Sequence, residues 1–411
     1  MSTHANDLVL PTANWLVPAA ELRWRVAALQ ARLRAGEIDV ALLAQNADLG
    51  YFCGSIASGW LVVPATGEPV LHVRRAAVRS EAETCWPVQT TRSNRELVAE
   101  VHAMVGGGDR LNVVGLELDV LPAAEYLKLE AGLGADSLVD LTHDIRSVRA
   151  VKRPWELQWM HAAAAQVRAA MEAVAEQARP GMREIDVALL AEQVLRERGH
   201  QGVMRMRRFN GEMFYGQVAA GPNAALAAAL DSPLGGAGRY PPVGKGASER
   251  VIEPGELLVV DLMGACNGYL SDCTRVYALG EPDRDLVDAQ AWCVGVLEHV
   301  AGLARPGVTP ASLYAEALRL AQEAGRAAQF MGAAPDQARF VGHGIGMEVD
   351  EYPFLATGFD EPLVEGMVFA LEPKLVFPGR AAVGIEDSFV VTADGVEPLD
   401  AVSRGLLVID A

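Results

Sequence analysis

Residues 257–279 read LLVVDLMGACNGYLSDCTRVYAL. Two apolar runs, Leu257 to Val260 and Val276 to Leu279, flank a Cys266-Asn267-Gly268 turn signal, and this pattern predicts a β-hairpin. Asp261 and Asp272 stand on its two arms, each toward the turn. A carboxylate at the end of a buried strand is unfavourable unless a cation, a proton or several donors compensate it. Two of them on neighbouring strands also repel. A divalent metal held between them removes both penalties, because such cations take carboxylate oxygen readily. The alternative is one capping or turn aspartate and one surface aspartate, and the hairpin alone leaves both open.

An internal repeat extends the pattern. Ala178-Arg-Pro-Gly-Met182 and Ala304-Arg-Pro-Gly-Val308 each precede an amphipathic stretch, ending near Gly199 and Gly325. Ile252-Glu-Pro-Gly-Glu-Leu-Leu-Val-Val-Asp261 has a counterpart in Val364-Glu-Gly-Met-Val-Phe-Ala-Leu-Glu372. In both, a glycine is followed six residues later by a carboxylate at the end of a hydrophobic strand. The duplicated unit therefore places one acidic group at the same point of each half. A further acid, Glu386, follows in Gly384-Ile385-Glu386-Asp387, and His343 lies in Phe340-Val-Gly-His-Gly-Ile-Gly346 between glycines that let backbone approach closely. Four strand-end carboxylates and one imidazole form a plausible ligand set for a transition metal, whereas a lone buried histidine would read as a packed core residue.

Asp261, Asp272, His343, Glu372 and Glu386, in this order and in these phrases, resemble the five metal ligands of the pita-bread metallopeptidase superfamily of methionine aminopeptidase, prolidase, aminopeptidase P and the metal-free creatinase. The match spans roughly residues 155–400, and the preceding part resembles the smaller creatinase/prolidase N-terminal domain. The resemblance implies an α/β (α+β) chain with a small N-terminal domain, residues 1–150, and a pseudo-two-fold catalytic domain, residues 151–411. It also implies two divalent ions, Mn first and Co, Zn or Fe as alternatives, with a bridging hydroxide. Asp272 and Glu386 would be shared, Asp261 would bind one ion, and His343 and Glu372 the other. Glu372 would assist deprotonation of the water. The activity implied is cleavage of Xaa-Pro bonds in a dipeptide or at a peptide N-terminus, by a homodimer.

The chain also departs from that family. The segment after Gly221-Pro-Asn-Ala-Ala225 lacks a histidine, Asp350-Glu351-Tyr352-Pro353 stands where the family has a His-Glu phrase, and Gly384 replaces an arginine. Asp350 could carry the proton in the missing histidine's place, or cap a turn. Arg207, Arg208, Arg239, Lys245 and Arg380 are candidates to pair with a substrate carboxylate, each with a solvated surface charge as its bland alternative. Asp231 and Tyr240 flank a Gly/Pro-rich loop, Ser232 to Gly246, that would cover the site or serve as a structural Ω-loop. Arg207, Arg208 and Tyr240 are the substrate-binding candidates, and Glu372, His343 and Asp350 the catalytic ones. The alternatives to a peptidase are a small-molecule C–N hydrolase or lyase of the same fold, using Asp350 in acid/base chemistry, and a catalytically dead binding module. Keeping all five ligands argues against the last.

At 411 residues the chain exceeds a single hydrophobic core. A net charge of −18 without a basic run argues against nucleic acid or an anionic membrane as partner. No apolar window reaches the ~18 residues of a membrane span and no signal segment opens the chain, so a cytoplasmic protein is expected. The five cysteines form no CxxC pair, and most of them read as buried thiols in a reducing compartment. Helical spacing over 21–35, stopped at Gly36, apolar runs near 39–43, 59–64, 69–73, 112–117 and 137–140, and a helix at about 122–131 give the alternation of an α/β unit. The basic, proline-closed stretch 145–154 marks the boundary, and a long alanine-rich helix follows from Trp155.

Overall fold

The structure is a computed structural model and describes residues 13–105 and 111–409. It forms two compact units that divide between Arg149 and Ala150.

In the first unit the elements run α1 (Ala19–Ala35), β1 (Val40–Leu43), α2 (Asn46–Cys53), β2 (Gly59–Pro64), β3 (Val70–Val73), α3 (Ala77–Glu83), β4 (Val88–Thr90), α4 (Asn94–Val105), β5 (Leu111–Leu116), α5 (Ala123–Leu133), β6 (Ala135–Asp140) and α6 (Thr142–Ala150). The sheet order is β4-β3-β2-β1-β5-β6. The β1–β2–β3 meander is antiparallel, and β5 and β6 join in parallel after crossover helices. α1 ends at Gly36, and its Leu22, Val26, Leu29 and Leu33 fall on one buried stripe, which is what holds so short-ranged an element in place.

The second unit contains α7 (Pro154–Gln177), α8 (Glu184–Glu197), β7 (Gly216–Ala220), α9 (Gly221–Ala224), β8 (Leu257–Cys266), β9 (Tyr269–Leu279), α10 (Arg284–Leu303) and α11 (Pro310–Glu323). Then follow β10 (Phe340–Gly344), β11 (Glu351–Ala356), β12 (Val368–Leu371), β13 (Lys374–Phe377), β14 (Ala381–Gly384), β15 (Glu386–Val391), β16 (Val396–Pro398) and β17 (Leu407–Ile409). Seven strands order as β11-β10-β12-β15-β9-β8-β7, with β16 on β15 and β17 on β9; β13 and β14 form a separate pair. The β8–β9 hairpin closes at Asn267 and Gly268, with φ of 49° and 90°. Positive φ at both positions is the primed turn whose twist matches the strands, which is why Asn-Gly stands there. Along the hairpin, Leu257, Val259, Val276 and Ala278 join a core with α10 and α11, while Leu258, Val260, Tyr277 and Leu279 join one with α7 and α8. The repeated helix-and-strand units thus cover the sheet from both halves. Among the described residues no helix is long and apolar enough to cross a membrane.

Candidate metal centre

Strand register gathers the five scattered candidate ligands into one cluster. Asp261 pairs with Thr274 and Met263 with Asp272, so both aspartates and Thr274 share a face of the hairpin. Glu386 pairs with Thr274 on the next strand, and His343 pairs with Ala370, which pairs with Ser388, two residues from Glu386. Glu372 lies two residues beyond Ala370, just past the end of β12. Five adjacent strands therefore each deliver one group. The glycines around His343 permit the approach of its neighbours: a Cβ on Gly342 would stand 2.2 Å from the Ala370 oxygen, and one on Gly344 2.1 Å from the Tyr352 oxygen.

Asp272, His343, Glu372 and Glu386 are buried, and Asp261 is half-buried. Ligand atoms of Asp272, His343 and Glu386 all lie within 4.8 Å of one another. His343 Nε2 is 3.5 Å from Glu372 Oε1 and 3.8 Å from Glu386 Oε1. Its Nδ1 is 3.2 Å from the Gly344 carbonyl, and the tautomer that donates there leaves Nε2 as a lone pair facing the carboxylates. Asp272 Oδ1 and Glu386 Oε1 are buried without a hydrogen-bond partner. Burial, then the charges of Glu386 and Asp261, push Asp272 well above the usual carboxylate range. Burial lifts Glu386 to about 7 against the opposing pull of Lys374. Two buried carboxylate oxygens with no donor are what a divalent cation would satisfy, and the mixed oxygen and imidazole set suits a transition metal better than Ca.

Two groups that the sequence reading did not single out enter this cluster. Thr274 Oγ1 lies 2.9 Å from Asp261 Oδ1 and 2.8 Å from Glu386 Oε2. Strand alternation from Asp272 was its available signal. Lys374, buried to 1 % exposure, donates from Nζ to Glu372 Oε2 at 2.5 Å and to Glu386 Oε2 at 2.7 Å. Burial alone would lower its pKa, but Glu372, Glu386 and Asp261 outweigh it and hold the ammonium well above the ordinary lysine value. Its signal was one lysine opening the apolar run Leu375-Val376-Phe377 directly after Glu372-Pro373.

Behind the cluster, buried Arg275 braces β9 against β15. Its Nη2 donates to Asp387 Oδ1 at 2.6 Å and its Nη1 to the Glu386 carbonyl at 2.8 Å, while Arg404 Nε holds Asp387 Oδ2 at 2.7 Å. Glu184, fully buried, accepts from Ala220 N, Asn223 Nδ2 and both Ser248 N and Oγ, fixing the start and end of the 221–248 excursion.

The remaining candidates are held as follows. Asp350 accepts the backbone N–H of Arg207 at 2.8 Å on Oδ1 and that of Arg208 at 3.0 Å on Oδ2. Arg207 is buried with Nη1 3.6 Å from buried Glu348. Arg208 is exposed, 3.9 Å from Asp231, and Tyr240 is exposed under the Arg239 guanidinium at 5.6 Å. Arg239 also meets Glu249 at 3.0 Å, Lys245 is buried near Ser232, and Arg380 forks across Asp283 and Asp285 at the surface.

Comparison with known proteins identifies the family. Residues 158–393 match metallopeptidase family M24, and residues 25–151 match the creatinase/prolidase N-terminal domain. The chain is 32% identical over 374 residues to a probable dipeptidase PepE of Mycobacterium tuberculosis, covering 88% of this chain and 90% of that protein. It is 32% identical over 295 residues to an Xaa-Pro dipeptidase of Lactobacillus delbrueckii subsp. lactis, covering 72% of each. The crystal structure of dipeptidase PepE from Mycobacterium ulcerans superposes with a TM-score of 0.81 at 28% identity, over 96% of this chain and all of that one. With the family match covering more than half of its length, the chain belongs to metallopeptidase family M24.

Proposed function

We propose that the protein is a divalent-metal-dependent hydrolase of Xaa-Pro bonds in dipeptides or at the N-terminus of small peptides, with its metal held by Asp261, Asp272, His343, Glu372 and Glu386. The observation that carries this reading is the pair of buried carboxylate oxygens without a hydrogen-bond partner, Asp272 Oδ1 and Glu386 Oε1, in residues whose ligand atoms lie within 4.8 Å of one another and of His343. The names of the M24 relatives supply the substrate class.

Metal bound there supplies Lewis acidity toward the scissile carbonyl and acidifies water. The chain's own groups do the rest. Glu372 is held through Oε2 by Lys374, which leaves Oε1 to take the proton from the attacking water and pass it to the leaving nitrogen. The Gly344 carbonyl fixes the His343 ring, and Thr274 orients Asp261 against Glu386. Asp350 positions the Arg207–Arg208 backbone, and Arg208 and Tyr240 are exposed groups available to a peptide's carboxylate and side chain. A homodimer, carried over from the family resemblance, and a cytoplasmic location, carried over from the sequence reading, belong to the same proposal. The resemblance assigns these ligands to two ions bridged by hydroxide, with Mn first among the metals; how many ions this chain keeps turns on Lys374.

The test is release of proline from a panel of Xaa-Pro dipeptides, with an Xaa-Ala set and one Xaa-Pro tripeptide alongside, by Mn- or Co-loaded protein. Preference for Xaa-Pro is the expected result. Absence of turnover with metal bound would redirect the search to small C–N compounds.

A further inference from the structure

The Lys374 ammonium is not beside the ligand cluster but inside it. Nζ bridges Glu372 Oε2 and Glu386 Oε2 from a side chain that is almost fully enclosed. Space for it is built into the backbone: Lys374 pairs with Gly384 across β13 and β14, and a Cβ on Gly384 would stand 2.4 Å from Lys374 Cγ.

The lysine divides the cluster into two unequal parts. On one side, Asp272 Oδ1 and Glu386 Oε1 have no hydrogen-bond partner, Glu386 Oε1 stands 3.8 Å from His343 Nε2, and ligand atoms of all three residues lie within 4.8 Å of one another. That side is open to a cation. On the other side lies Asp261, whose Oδ1 meets the Thr274 hydroxyl, and the Glu386 oxygen that shares this hydroxyl, Oε2, is already engaged by Lys374 Nζ. A dication placed there would share a buried carboxylate oxygen with a fixed ammonium, and like charges this close repel strongly where water is excluded.

We propose that Lys374 takes the place of a second cation, so that the centre binds one divalent ion tightly, on Asp272, His343 and Glu386, with Glu372 Oε1 at its edge. This rests on the metal-dependent reading of the site above and narrows it. Lys374 acts as a positioning residue, holding Glu372 and Glu386 where a second ion would otherwise hold them.

The test counts ions. Metal-stripped wild type, Lys374→Met and Lys374→Gln are equilibrated with Mn(II), and bound metal is measured by mass spectrometry of the digested protein beside the Mn(II) electron paramagnetic resonance spectrum. Wild type is expected to hold about one ion per chain with the six-line spectrum of an isolated Mn(II), and the variants about two with an exchange-coupled spectrum. Two coupled ions in wild type would overturn the proposal while leaving the metal-dependent reading intact. One ion in wild type and in both variants would overturn the role of Lys374. No ion in any of them would overturn both. The wild-type spectrum decides the ion number even should neither variant fold.

Discussion

Lys374 and Gly384 face one another across the β13–β14 pair, and the absence of a side chain on Gly384 is what admits the Lys374 stem to the carboxylate cluster. Gly384→Ala is therefore expected to lower stability by about 1–3 kcal/mol, the usual penalty of overpacking an enclosed position. In a Lys374→Ala background the clashing Cγ is gone, and the same glycine substitution should cost less. Denaturant midpoints of the four proteins in the double-mutant cycle measure this, and a coupling energy indistinguishable from zero would refute the packing relation.

Arg275 joins the strands that carry Asp272 and Glu386 from the opposite face, through Asp387 and the Glu386 carbonyl. Both charged side chains of the pair are nearly enclosed, at 4% and 6% exposure. Arg275→Met removes one partner and leaves Asp387 to Arg404 alone, so a loss of about 3–5 kcal/mol is expected from urea unfolding. A surface-like loss below about 1 kcal/mol would show that the brace contributes little.

His200 is buried, and burial, assisted by Arg196, lowers its pKa to about 4. In the unfolded chain it titrates near ~6.5. Between those values the unfolded chain holds a proton that the native chain does not, so stability falls as pH drops from about 6.5 toward 4 and this group contributes no slope above about 7. His200→Gln removes that part of the acid slope. Melting temperatures of both proteins in chelator, from pH 8 to pH 4, should converge toward the acid end; parallel curves throughout would contradict the assignment.

Asp350 spends both carboxylate oxygens on the backbone of Arg207 and Arg208. Asp350→Asn turns one acceptor into a donor facing an N–H group, and faster amide hydrogen exchange at Arg207 and Arg208 is expected. Unchanged exchange together with a displaced pH–rate profile would instead make Asp350 the proton carrier.

Much of the catalytic unit could be read from the chain because its signals are local. The Asn267-Gly268 turn, the glycine-to-carboxylate spacing ending at Asp261 and Glu372, and the glycines around His343 each follow from backbone geometry within a few residues, and strand parity does the rest. Lys374 and Thr274 escaped because their role depends on which strands become neighbours. Nothing within a few residues of Lys374 announces that Gly384 will stand opposite it and open a path to Glu386. The Glu184 network is hidden for the same reason, since its partners Ala220, Asn223 and Ser248 lie far along the chain. The loop acids and bases were ambiguous from sequence because a turn cap and a proton carrier use the same residue types: Asp350 caps two amides, while Arg207 is drawn into a buried pair with Glu348.

The most direct test of the central claim is the rate of proline release from an Xaa-Pro dipeptide by wild type and Glu372→Ala, each stripped with chelator and then reloaded with Mn(II). Turnover by wild type that vanishes on stripping, returns on reloading and is reduced by about 100-fold or more in Glu372→Ala is the expected result. Turnover that survives chelation, or that Glu372→Ala retains in full, would contradict it.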